Sequence, residues 1–274
     1  MSLQLKTVAP PQGVHWLREA FRLFARAPLA FSLMFVAFLA AAVFSSAIPV
    51  AGPLLMLAAL PLLSLGFMIA SESALAGGPV HPGQFVSALR GDNARRRSLL
   101  ILCAVYGIVS LAVLLLSDWV DGGAFERLQR LMADGDKSAE IEALVAEPSF
   151  TWGLFIRFGL AALLAIPFWH APALVHWGAQ GPAQALFSSA LAVWRSKGAF
   201  LVYGLAWFAM ILLFGVAAAL LFRLFGAGQM AGLIALPAGL IFSTVFYVSL
   251  LFTYNGCFSI GKADAPVATT RPLD

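Results

Sequence analysis

Between Leu29 and Ala70 the chain runs for 42 residues without a charged side chain, and further apolar stretches cover 98–117, 152–177 and 199–260. A bilayer core of roughly 30 Å needs about 20 such residues per helix, so the pattern predicts a polytopic, all-α membrane protein. The first run has to turn back on itself, and its one break is the segment from Ser45 through Pro49 to Pro53. Arg223 and the glycines that follow it divide the last run in the same way. Six spans result, at about 29–47, 53–75, 98–117, 152–177, 199–222 and 230–256, within a single membrane domain covering 1–274. The first apolar stretch begins after 28 residues, is too long for the core of a signal peptide, and is followed directly by another, so no leader is expected.

Polar positions set the orientation. Twelve Lys and Arg fall on the side of the termini, among them Arg18, Arg22 and Arg26, then Arg90 and Arg95 to Arg97, then Arg195 and Lys197. The other side carries four, and Arg157 lies inside the fourth span. This bias predicts a bacterial inner-membrane, multi-pass protein with both termini in the cytoplasm. The segment 118–151 has the opposite character, eight carboxylates against three basic residues and a net charge of −5. Apolar residues recur within it at helical spacing around Asp134-Gly135-Asp136, which predicts an acidic helical hairpin on the outer surface, with Arg157 reaching out toward it.

Before the first span, Val14, Leu17, Phe21 and Phe24 share one helical face while Arg18, Arg22 and Arg26 share the next. That is an amphipathic helix, lying in the membrane plane or packed on its own protein. The layout recurs: Pro82 and Gln84 open a short helix before the third span, and Pro182 and Gln184 open one before the fifth, each ending in basic residues. The chain therefore reads as three parallel repeats, each a cytoplasmic amphipathic interface helix followed by a transmembrane hairpin. The arginines of these helices, with Arg95, Arg96, Arg97, Arg195 and Lys197, are the candidate ligands for anionic lipid headgroups.

Composition adds two exclusions. Hydrophobic residues make up 61% of the chain, charged residues 11%, and mean hydropathy is +0.89, which leaves no room for a separate soluble domain. The net charge of +4 and pI near 9.4 follow from the cytoplasmic arginines and do not indicate nucleic-acid binding.

The stretch Pro167-Phe168-Trp169-His170-Ala171-Pro172-Ala173-Leu174-Val175, the Gly181-Pro182 helix after it, and Phe200-Leu201-Val202-Tyr203-Gly204-Leu205 together resemble a family of proteobacterial six-span integral membrane proteins with no assigned function. The likeness extends more loosely to Trp16 through Pro28. More distantly, the layout is similar to the membrane domain attached to some bacterial glycerophosphodiester phosphodiesterases. The resemblance implies an inner-membrane location and a fold, and no activity. His170 stands where family members more often carry an aromatic residue.

Candidate chemistry is confined to ionisable groups within the spans, each costing about 2.5–3.5 kcal/mol at a helix centre. Glu72, His170, His176, Tyr254 and Asn255 all fall toward the cytoplasmic ends, and as one polar cluster beside Pro172 they would suit a proton relay or an anion site. Metal ligation is not expected, because His170 and His176 are six residues apart and face opposite ways on a helix. Cys103 and Cys257 imply no disulfide, and no catalytic motif or cofactor signature occurs. The expected function is a non-enzymatic lipid-interacting scaffold or accessory subunit, with anionic lipids, a membrane-protein partner or a second copy of the chain as partners. The alternative is a small transporter or channel with its polar site at the cytoplasmic side.

Overall fold

A computed structural model describes residues 3–49, 51–134, 138–224 and 231–260. The expected turn at Gly135 and Asp136, the glycine-bearing turn after Arg223 beyond Leu224, and Lys262 and Arg271 lie outside the described residues. Among the described residues the protein is all-α apart from one small two-stranded sheet. In chain order the elements are β1 (Leu3–Leu5), α1 (Gln12–Arg26), α2 (Pro28–Ser46), α3 (Ala51–Leu75) and α4 (Gln84–Ser87), which a single 3-10 turn extends to Arg90. Then come α5 (Asn93–Asp121), α6 (Ala124–Asp134), α7 (Ser138–Val145), α8 (Pro148–Phe168) and α9 (Ala171–His176). α10 (Pro182–Arg195), α11 (Lys197–Leu224), α12 (Ala231–Cys257) and β2 (Phe258–Ile260) complete the described elements.

Among the described residues, six segments are long and apolar enough to cross a membrane: α2, α3, α5, α8 with α9, α11, and α12 from Ile234. The predicted spans fall on these helices, and proline and glycine explain several boundaries. Pro28, Pro148 and Pro182 each stand at a helix start, where the missing N–H costs nothing. α5 ends where Gly122 and Gly123 turn left-handed at φ 62° and 76°. α5 is longer than the sequence suggested: its first turn takes in Arg95, Arg96 and Arg97.

The chain forms two compact units. One comprises residues 27–190. Here α3 is packed by α2, α4 and α5, and α5 by α8. Gly107 of α5 lets the Ala58 backbone of α3 approach closely, since a Cβ there would lie 2.9 Å from the Ala58 Cβ. α4 presses Phe85 onto Gly66 of α3 and against the Phe67 ring. α6 and α7 form the predicted hairpin, closing a small core of Ala124, Leu144 and Phe150 with Phe125, Leu128, Leu131 and Leu154.

The other unit comprises residues 1–26 and 191–274, with α1 against α11 and α12. Gly13 faces Ala199 and Tyr203, Trp16 meets the Phe200 ring at 5.2 Å, and Phe21 meets Trp207 at 6.1 Å, so α1 and α11 advance in the same direction. The buried stripe is Trp16, Leu17, Ala20 and Leu23. The apolar face of α1 is therefore covered by protein, and the helix runs beside α11; small residues at positions 13, 20 and 256 make room for it, with Gly256 under the Trp16 indole. Two connections unforeseen from sequence hold this arrangement: β1 pairs antiparallel with β2, and the Val8 N–H donates to Ser196 Oγ at 3.2 Å.

The repeats acquire a different spatial unit. α4 packs on α3 of the hairpin preceding it, and α10 bonds through Ser189 to α8 and its junction with α9, again the preceding hairpin. The third hairpin, α11 and α12, has no interface helix after it among the described residues, and α1 occupies that place. Gly239 of α12 has open space around it.

Candidate functional site

The five candidate polar residues differ in burial. Glu72, His170 and His176 belong to the unit of residues 27–190, Tyr254 and Asn255 to the other. Glu72, near the end of α3, is exposed; His170 is fully buried; His176 is half-buried and within electrostatic reach of Arg95. Tyr254 is buried with its ring 5.2 Å from that of Phe258, and Asn255 is exposed.

The fourth span is interrupted where His170 stands. α8 stops at Phe168 and α9 starts at Ala171, because Pro172 has no N–H to offer the Phe168 carbonyl and its ring crowds that group. In an unbroken helix the His170 N–H would donate to the Ile166 carbonyl. Ser189 of α10 stands in its place: its Oγ accepts from the His170 N–H at 2.9 Å and donates to the Ile166 carbonyl at 3.2 Å. The hydroxyl thus stitches the break shut and satisfies both backbone groups away from water. Pro172 was a visible sequence signal for a freed carbonyl; Ser189, 17 residues later in another helix, was not.

At the opposite end of the same unit Arg157 is the centre of a second polar group. Its Nη2 donates to Asp118 Oδ1 at 2.5 Å and its Nε to Ser117 Oγ at 3.1 Å, while Ser117 Oγ donates to the Gly153 carbonyl at 3.0 Å. The guanidinium lies 4.0 Å over the Phe125 ring of α6. Asp121 Oδ1 accepts from the Gly123 and Ala124 N–H groups at 2.8 and 3.2 Å and so caps α6. Its other oxygen lies against Gly153, where any side chain would collide with the carboxylate. Arg157 thus reaches the acidic segment as its position implied, and joins α8, α5 and α6. Exposed Trp119 and Trp152 lie near the ends of α5 and α8 facing this segment, as residues of an interfacial aromatic belt do.

The basic candidates are all turned outward. Arg18, Arg22 and Arg26, Arg95 to Arg97, Arg195 and Lys197 are exposed. Arg22 is partly neutralised by Glu19 at 2.5 Å, and the Lys197 ammonium sits 5.2 Å from the Trp194 ring centre. Trp194 and Phe187 are themselves 70% and 68% exposed, so α10 offers aromatics as well as charge. No cluster of His, Cys, Asp and Glu able to hold a metal occurs among the described residues.

Six apolar spanning helices with cationic ends and interfacial tryptophans make an integral membrane protein, and a comparison with known proteins gives the same answer. Over 266 residues, 96% of this chain and 97% of the relative, the sequence is 36% identical to a probable inner membrane protein of Burkholderia thailandensis. The chain belongs to that inner-membrane protein family. The match runs over nearly the whole length of both chains. No protein-family model matches the chain, and no solved structure matches it.

Proposed function

We propose that this inner-membrane protein is a non-catalytic scaffold or accessory subunit that holds anionic lipid at the cytoplasmic ends of its spans. The observation that carries the reading is the first turn of α5, where Arg95, Arg96 and Arg97 are consecutive, exposed and without a carboxylate partner among the described residues. Three cations at a helix N-terminus oppose the macrodipole and repel one another. Lipid phosphate relieves both. The buried polar groups, in contrast, serve the fold: Ser189 stitches the fourth span, Arg157 ties three helices, and the Tyr203 hydroxyl donates to Ser249 Oγ at 2.5 Å inside the other unit. The twelve-to-four distribution of basic residues supports termini in the cytoplasm.

Changing Arg95, Arg96 and Arg97 together to Gln is expected to strip most copurified anionic lipid, at about 1 kcal/mol per arginine, with insertion unaffected. The same change at Arg18, Arg22 and Arg26 has a smaller effect because Glu19 already engages Arg22. Unchanged lipid content by mass spectrometry in both variants would refute the reading. Orientation is tested by single cysteines at exposed positions in a chain lacking Cys103 and Cys257: Val14, Val86 and Ala183 resist an impermeant thiol reagent added to intact cells, and Ala139 reacts. Labelling at Val86 from outside overturns the topology.

The interrupted fourth span favours a second reading, a small transporter, since broken helices at membrane depth are a recurrent feature of transport proteins. Uptake by proteoliposomes of the purified chain, absent in Ser189→Ala, would replace the scaffold reading.

A further inference from the structure

We infer that the cleft between α6 and α7 binds a small zwitterion, a molecule carrying an ammonium group together with a phosphate or carboxylate. The cleft has a volume of about 410 Å³, and its charged lining is Arg127 and Arg130 from α6 with Glu140 and Glu147 from α7 and the link that follows it. Arg127 and Arg130 are three residues apart and share one face of α6. Leu131 and Leu144 form the apolar part of the lining and belong to the hairpin's own core, so the cleft is built into the packing of the two helices.

The arrangement of charge selects the ligand class. The segment 118–151 has a net charge of −5, yet Arg127 and Arg130 are brought together at this one cleft. No ion pair joins either arginine to Glu140 or Glu147 among the described residues. An anion alone gains the arginines and is repelled by the glutamates; a cation alone meets the reverse. A ligand with both charges is matched at both ends, the arrangement by which charged sites reject half-matching competitors. A cleft of this size accommodates a molecule on the scale of an amino acid or of phosphoethanolamine. The same chemistry has two sources, a free solute or the headgroup of phosphatidylethanolamine, because α6 and α7 both pack on α8, a membrane span.

The test is calorimetric titration of O-phosphoethanolamine into the full chain in phosphatidylglycerol nanodiscs, with inorganic phosphate and ethanolamine as single-charge probes. Binding of phosphoethanolamine at least about tenfold tighter than either probe is expected, with a loss of similar size in both Arg127→Gln/Arg130→Gln and Glu140→Gln/Glu147→Gln. All four residues are exposed, and an unchanged unfolding midpoint in each double variant separates lost binding from lost fold. Doping the nanodiscs with phosphatidylethanolamine then divides the supported outcomes: a weakened titration identifies the lipid headgroup as occupant, and an unaffected one identifies a soluble zwitterion. Equal binding of the three probes, or phosphoethanolamine binding retained in both double variants, overturns the inference.

Discussion

Replacing Arg157 by Gln is expected to destabilise the protein by about 2–4 kcal/mol, short of the largest values for breaking buried ion pairs because Asp118 keeps a third of its side chain exposed. The loss has three parts. Asp118 forfeits a charge-assisted hydrogen bond, Ser117 loses the donor that holds its hydroxyl toward the Gly153 carbonyl, and the Phe125 face loses a cation. Arg157→Lys keeps the charge and loses the Nε bond and the planar stacking, and so falls between wild type and Gln. Asp118→Asn in the Arg157→Gln background recovers part of the stability, since the carboxylate is no longer left without its partner. The measurement is thermal unfolding in nanodiscs across the four corners of a double-mutant cycle, with an expected coupling of about 1–3 kcal/mol. Additive effects would show that Arg157 gains its stability from solvent and headgroups. Because Phe125 opens the α6–α7 hairpin, protease sensitivity of α6 and α7 should rise in the Gln variant.

The second large effect is expected at Ser189. Ser189→Ala removes one oxygen and leaves two backbone groups without partners, the His170 N–H and the Ile166 carbonyl, each costing about 1–3 kcal/mol in apolar surroundings. The chain cannot simply close the gap by making the direct bond, because Pro172 holds the break open one turn later. Ser188→Ala, next to it on the same helix, is the control and should stay within about 0.5 kcal/mol of wild type. Thermal unfolding of the two single variants decides the matter; equal midpoints would mean that the span break is satisfied without the α10 hydroxyl. Ser189→Thr retains the hydroxyl and adds a methyl group to a fully buried site, so its cost reports overpacking alone.

Which features were legible from sequence follows from how far apart in the chain their causes lie. A charge-free window of about 20 residues is itself the physical requirement for a span, so the six helices and their separation at Pro49, Pro53 and Arg223 could be read from local composition. The same holds for the acidic hairpin, whose apolar residues repeat with the helical period. Arg157 was legible because a lone cation inside a span has one economical solution, the nearest carboxylates. The burial face of α1 was not: its stripe of Trp16, Ala20 and Leu23 is chosen by contact with Gly256 and Ala199, some 180 to 240 residues away, whereas periodicity alone pointed to Val14, Leu17, Phe21 and Phe24, of which only Leu17 is buried. Nor was the burial of the candidate polar residues legible. Sequence places Glu72, His170, His176, Tyr254 and Asn255 at similar depth, and depth does not say which way a side chain turns; packing buried His170 and Tyr254 and left Glu72 and Asn255 exposed. Local hydrophobicity determined that the chain lies in a membrane and where it crosses. Contacts between distant segments, Ser189 with Ile166 and His170 and β1 with β2, decided how each helix is satisfied, because a hydrogen bond across 20 or 250 residues leaves no periodic trace in the chain.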